Sequence, residues 1–186
     1  MLRAALGAAL FKILPGRVQA DTSFGRVNPP QATPTLRVTS VDARSTELVS
    51  LLQGKVTALQ LMFTGCSATC PIQGAVFSEV QAQLSGAAAH FQLLSVSIDP
   101  MGDDPKALRA WLRRFGAQPT RWTAALATPE DLDRLLDFLR GRARGADRHT
   151  PQVYLFDRRA RLFFRTADLP PAGLVVSGMQ HIARQG

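Results

Sequence analysis

From residue 36 onward the hydrophobic pattern changes period several times, and each change marks an element. "LRVTSV" alternates apolar and polar from Leu36, as a strand with one buried face does. "STELVSLLQG" then spaces its apolar residues by three and four and stops at Gly54, which predicts a helix. "KVTALQLMF", residues 55–63, is a continuous apolar run rich in β formers and predicts a buried strand. Helical spacing returns in "IQGAVFSEVQAQL", with Pro71 at the first helical position, where its missing N–H costs nothing. "FQLLSVSI", residues 91–98, predicts a second buried strand. "DPMGDDPKALRAWLRRFG" turns into a helix capped by Asp104 and stopped at Gly116. A short strand in "RWTAAL" precedes the helix "TPEDLDRLLDFLRG", which Thr128 caps and Pro129 opens. "QVYLFD" and "RLFFRT" form a hairpin around Arg158 and Arg159, and a last helix runs from about Pro171 to Arg184. The order β α β α β α β β α calls for an α/β fold, a mixed sheet flanked by helices on both faces.

Upstream of this pattern the chain reads differently. Residues 21–35, "DTSFGRVNPPQATPT", are polar with three prolines and suit a linker or extended lead-in. In residues 1–20, Arg3 precedes the mostly apolar "AALGAALFKIL", and "VQA" ends at Ala20 like a small-residue cleavage site, the layout of a signal peptide or membrane anchor. Residues 36–186 then form one domain, and 46% apolar composition suffices for one core. The net charge of +8 raises the possibility of an anionic partner or membrane surface. The basic residues are scattered, however, and are dense only at Arg140–Arg148 and Arg158–Arg161. Aromatic residues are not interleaved with them, which argues against nucleic acid.

The chemistry concentrates in "FTGCSATCPIQG", which holds both cysteines of the chain, Cys66 and Cys70. They fall on a strand-to-helix turn, and residues four apart on a helix face one another. Backbone donors and the positive end of the helix dipole favour thiolate there. Two soft thiolates suit Cu(I) or a reversible disulfide better than a hard cation, and zinc would want four ligands. Of the three histidines, His149 stands just before a strand expected beside the one that ends at the cysteines, so its imidazole can converge on the thiols. His90 and His181 read as packing or surface residues. Asp99, at the carboxyl end of the second buried strand, either caps the "DPMG" turn or orients a site group such as His149.

"FTGCSATCP", "SVSIDPMGDDPKALRAWLRRFG" and "HTPQVYLFDRRARL" resemble, in order, the cysteine loop, the Ser-Ile-Asp-Pro turn and helix, and the histidine-bearing hairpin of the Sco/SenC family of thioredoxin-fold copper proteins. The resemblance implies a thioredoxin-like fold and a copper ion held by Cys66, Cys70 and His149. It also implies a periplasmic or membrane-anchored monomer that serves the copper-bearing subunit of cytochrome c oxidase, or another periplasmic copper or thiol protein. The family usually has Cys-Pro-Asp-x-Cys-Pro, whereas Ser67, Ala68 and Thr69 fill the gap here. Pro151 also departs from the family, which has an apolar residue there. "TPQVYLF" instead resembles the turn of thiol oxidoreductases in which a cis-proline faces the reactive pair. The alternative function is therefore a thiol-disulfide oxidoreductase, with Cys66 attacking and Cys70 resolving.

Overall fold

The computed structural model describes residues 24–84, 89–143 and 148–185, so the expected leader at 1–20 lies outside the described residues. The elements are β1 (Gly25–Ala32), β2 (Arg37–Ser40), β3 (Ser45–Glu47), α1 (Leu48–Leu52), β4 (Val56–Met62), α2 (Thr69–Gln83), β5 (Phe91–Ser97), α3 (Pro105–Arg114), β6 (Trp122–Ala127), α4 (Pro129–Leu139), β7 (Val153–Phe156), β8 (Arg161–Arg165) and α5 (Ala172–Gln185). The strands form one mixed sheet in the order β1-β8-β7-β4-β5-β6-β2-β3. β5 pairs in parallel with both β4 and β6, while β7 pairs antiparallel with β4 and β8 antiparallel with β7. These β4, β5, β7 and β8 pairings, with α2 joining β4 to β5 and α5 closing the chain, make the thioredoxin-like core that the resemblance implies.

All seven residues of β4 are buried because helices cover both faces of the sheet, which explains why its sequence is a continuous apolar run. On one face Leu59, Leu61, Val96 and Phe156 pack against Leu48 and Leu52 of α1 and Leu135, Leu136 and Leu139 of α4. On the other, Ala58, Leu93 and Leu155 meet Phe77 and Val80 of α2 and Val175 and Met179 of α5. α5 lies close to β7 at Gly178, where an added Cβ would stand 2.6 Å from Leu155 Cδ1. A third, smaller cluster at the carboxyl ends of the parallel strands joins Met62, Cys66, Cys70, Leu108, Trp111 and Ala124.

Three expectations are corrected. Most of the segment read as a linker is strand β1, antiparallel to β8, with its register broken between Arg26 and Gln31 where the adjacent prolines sit. It is one of the two edge strands, and an edge tolerates proline because one row of its amides needs no ladder partner. Val27 is buried there, and Arg26 lies 5.0 Å over the Phe163 ring. The helix expected over "STELVSLLQG" is only the five-residue α1, because Ser45–Glu47 pair with β2. Thr128 precedes α4 but makes no side-chain cap. The acidic first turn serves another strand instead: Asp131 Oδ2 accepts the Arg37 amide at 2.7 Å. Asp104 does cap α3, taking the Ala107 amide at 2.7 Å.

Candidate functional site

β4 ends at Met62, and the chain turns through Phe63–Cys66 before α2 begins. The turn closes with the Cys66 amide donating to Phe63 O at 3.2 Å. Ala68, the residue at the mouth of α2, has no side chain that can cap, and the Cys66 sulfur takes that place by accepting the Cys70 amide at 3.3 Å. Both cysteines are buried, Cys66 6% exposed and Cys70 not at all.

His149 reaches the thiols from the loop before β7. Its Nε2 stands 3.7 Å from Cys70 Sγ, and its Nδ1 lies 3.0 Å from the Thr150 carbonyl. A carbonyl only accepts, so Nδ1 is the donor to it, and Nε2 is the ring nitrogen turned toward the sulfur. The ring is 1% exposed and meets Phe63 edge-on at 6.1 Å between centroids. Its loop is pinned to the segment after α4: Arg142 bridges His149, the Thr150 amide donates to Gly141 O at 2.8 Å, and Arg142 reaches Asp133 and Asp137 of α4 at 2.8 Å each. Those ion pairs are exposed and stabilise little, but they fix the direction of the segment. Gly141 is required for close approach, since a Cβ there would lie 2.6 Å from Leu61 Cδ1 and 3.0 Å from the Tyr154 hydroxyl.

The donors fit a soft cation. A d10 ion such as zinc binds thiolate at about 2.3 Å and imidazole at about 2.0 Å, and across a trigonal angle such bonds separate the two donors by about 3.7 Å. The Cys70–His149 pair stands at that separation. Among the described residues no three His, Cys, Asp or Glu side chains already surround a common point, so closing a three-donor site takes an approach of Cys66.

Other expected residues are placed elsewhere. Asp99 serves the turn: its Oδ1 accepts the Gly102 amide at 3.2 Å and its carbonyl accepts the Asp103 amide at 2.9 Å. Pro151 follows a trans bond, since among the described residues the cis peptide is Asn28–Pro29, and the expectation of a cis-proline facing the thiols is corrected. The Pro151 carbonyl accepts the Leu169 amide at 2.9 Å. His181 is exposed beside Gln185. His90 lies next to β5 at its amino end, where burial first, and then Arg158, Lys55 and Arg121, hold its pKa below the usual imidazole range. Sequence reading passed over Asp103, which the structure buries against the thiol loop. Its only trace in the sequence is the doubled acid of "GDDP", where Asp104 took the evident role of cap.

Residues 41–182 match the family model described as SCO1/SenC. A SCO1 protein homolog of Bacillus subtilis is 28% identical over 81 residues, a stretch that spans 44% of this chain and 42% of that relative. Among solved structures, a SCO1/SenC family lipoprotein of Bacillus anthracis is similar with a TM-score of 0.69 at 23% identity, covering 83% of this chain and 96% of that one. Yeast Sco1 with copper bound is similar with a TM-score of 0.70 at 17% identity, covering 84% and 91%.

Proposed function

Because the chain belongs to the SCO1/SenC family, we propose that it is a copper metallochaperone: it holds one copper ion through Cys66, Cys70 and His149 and delivers it during assembly of the binuclear copper centre of cytochrome c oxidase. The observation that carries this reading is the 3.7 Å approach of His149 Nε2 to the Cys70 sulfur in a buried cluster. The copper-bound yeast structure, similar in fold, supports it. Thiolate and imidazole together suit copper, whose transfer proceeds by exchange of these donors for cysteines and histidines of the acceptor. The acceptor in this reading is the copper-bearing oxidase subunit, met on the periplasmic side of the membrane, and the leader or anchor pattern of residues 1–20 supports that side. Among the described residues no helix is long and apolar enough to cross a membrane.

The test is copper loading of the reduced protein. Wild type takes up one ion per chain, Cys66→Ser and Cys70→Ser take up none stably, and His149→Ala binds about 10- to 100-fold more weakly, the scale of losing a ligand or its support. Equal affinity in His149→Ala removes the histidine from the site, and absence of uptake by wild type ends the proposal.

A second reading is favoured by the hydrogen bond from the Cys70 amide to the Cys66 sulfur and by the slight exposure of Cys66 alone. The Cys66 thiolate attacks a partner disulfide, one partner thiolate leaves, and Cys70 then displaces the second. The partner ends as a dithiol and this chain as a Cys66–Cys70 disulfide. Rapid reduction of a disulfide substrate by protein that ignores Cu(I) selects this reading.

A further inference from the structure

We propose that Asp103 is the positioning residue of the thiol loop: its carboxylate straps the Phe63–Cys66 turn to the end of β5 and thereby sets where the Cys66 sulfur stands. The proposal deepens the copper reading above, and also holds for the thiol–disulfide one, because both need the Cys66 sulfur in a fixed place. Asp103 is 7% exposed, on the turn between β5 and α3. The Thr64 amide donates to Oδ2 at 3.0 Å and, more loosely, to Oδ1 at 3.3 Å. The Thr64 hydroxyl donates to Oδ1 as well. From the strand end, the Ser97 hydroxyl donates to Oδ2 at 2.5 Å. One side chain thus joins a loop and a strand end 39 and 6 residues away in sequence.

Three features make this strap specific to the sulfur. First, Cys66 lies two residues beyond the clamped Thr64, and Gly65, Ser67 and Ala68 around it are exposed, so besides the packing of Cys66 itself and the Cys66 amide to Phe63 O the turn depends on the Thr64 clamp. Second, a buried carboxylate is costly unless fully hydrogen-bonded, and among the described residues no ion pair to Asp103 occurs within 4.0 Å. Neutral donors of the loop and strand bear the whole task. Third, the neighbouring acids are committed elsewhere, Asp99 to the Gly102 amide and Asp104 to the Ala107 amide, so neither can substitute. When the strap is intact, the turn presents the Cys66 sulfur to the Cys70 amide. When it opens, that sulfur leaves the amide and faces solvent.

The experiment measures alkylation of Cys66 and Cys70 separately, by iodoacetamide and peptide mass spectrometry, in the reduced, metal-free full chain. Asp103→Asn keeps the shape but replaces one accepting oxygen with a donor. Cys66 alkylation is expected to rise roughly tenfold, the scale of losing a hydrogen bond to a charged group, while Cys70 changes little. Thr64→Val, which removes only the hydroxyl, gives a smaller rise, and the double variant adds little to Asp103→Asn because both act on one contact. Asp99→Asn leaves both rates unchanged. In copper-loaded protein, Asp103→Asn also shifts the thiolate-to-copper charge-transfer band. A folded Asp103→Asn whose Cys66 reacts at the wild-type rate overturns the proposal. If that variant does not fold, wild-type reactivity of Cys66 in Thr64→Val overturns it equally. Failure of wild type to bind copper removes the metallochaperone reading and leaves the alkylation result standing.

Discussion

Asp157 and Asp103 are nearly equally buried, 8% and 7% exposed, at opposite ends of the sheet, and each holds a turn. Asp157 works within its own hairpin. Its Oδ1 accepts the Arg159 and Arg161 amides at 3.0 and 2.9 Å, and its Oδ2 meets the Arg161 guanidinium at 2.7 Å. All of its partners lie within four residues, and one of them is a cation. Asp103 has hydroxyl and amide donors, and its main partner, Thr64, is 39 residues away. The first arrangement makes a turn that would form early and alone. The second can form only after β4 and β5 are paired, so it registers the completed fold and passes that precision to the thiols.

Deleting the Asp103 carboxylate has the largest effect. Asp103→Ala leaves the Thr64 amide and two hydroxyls without their acceptor, and about 2–4 kcal/mol of stability should be lost, read by urea denaturation. A loss below about 1 kcal/mol would show that water replaces the carboxylate and that the strap is weak.

A second braced group at the carboxyl end sharpens the contrast through pH. The Tyr154 hydroxyl lies 2.7 Å from Thr150 Oγ1, next to His149, and burial first pushes its pKa up to about 12. The folded value lies above the ordinary 10.0, so the neutral phenol's contribution is complete below pH 10 and is lost as pH rises toward about 12. It amounts to about 2–3 kcal/mol at most. Subtracting the stability curve of Tyr154→Phe from that of wild type isolates this loss, and parallel curves between pH 9 and 12 would refute it.

Gly141→Ala tests the same bracing from the far side. The added methyl meets Leu61 and the Tyr154 hydroxyl, which should cost about 1–3 kcal/mol. Copper affinity should fall with it, because the Gly141 carbonyl holds the Thr150 amide beside His149. Unchanged affinity in a folded variant would separate the position of His149 from this segment.

The same two ends explain what the sequence made legible. Local devices were readable: the hairpin around Arg158 and Arg159, the Asp104 cap, the buried β4 run and the strand-to-helix position of the thiols all depend on neighbours within a few residues. His149 was found through its strand, since β7 pairing with β4 brings the two segments together. Asp103 was missed because its partner is remote and its neighbour Asp104 offered a complete local explanation. β1 was missed because its polar, proline-bearing sequence is that of an edge, whose pairing with β8 is decided by the partner strand rather than by its own pattern. Asp99 stayed open between its two roles for the same reason, as only the packed turn decides which donors a carboxylate meets.

The smallest expected effect is at Asp157, and it tests the comparison as a control. Asp157→Asn keeps an accepting oxygen for the Arg159 and Arg161 amides and replaces the Oδ2 acceptor of the Arg161 guanidinium, whose side chain is 37% exposed, with a neutral donor that can turn to solvent. Partly exposed pairs of this kind contribute about 0–1 kcal/mol, and the hairpin turn should persist on its local hydrogen bonds. Denaturation midpoints should therefore move little, and Cys66 alkylation and copper affinity should not move at all, since the turn stands at the other end of the sheet. The isosteric change at Asp103 is expected to raise Cys66 alkylation, so measuring the two variants side by side asks whether the difference lies in the partners or only in burial. If Asp157→Asn disturbs the thiols as much as Asp103→Asn does, burial of a carboxylate matters more than which segment it straps, and the distinction between the two ends is lost.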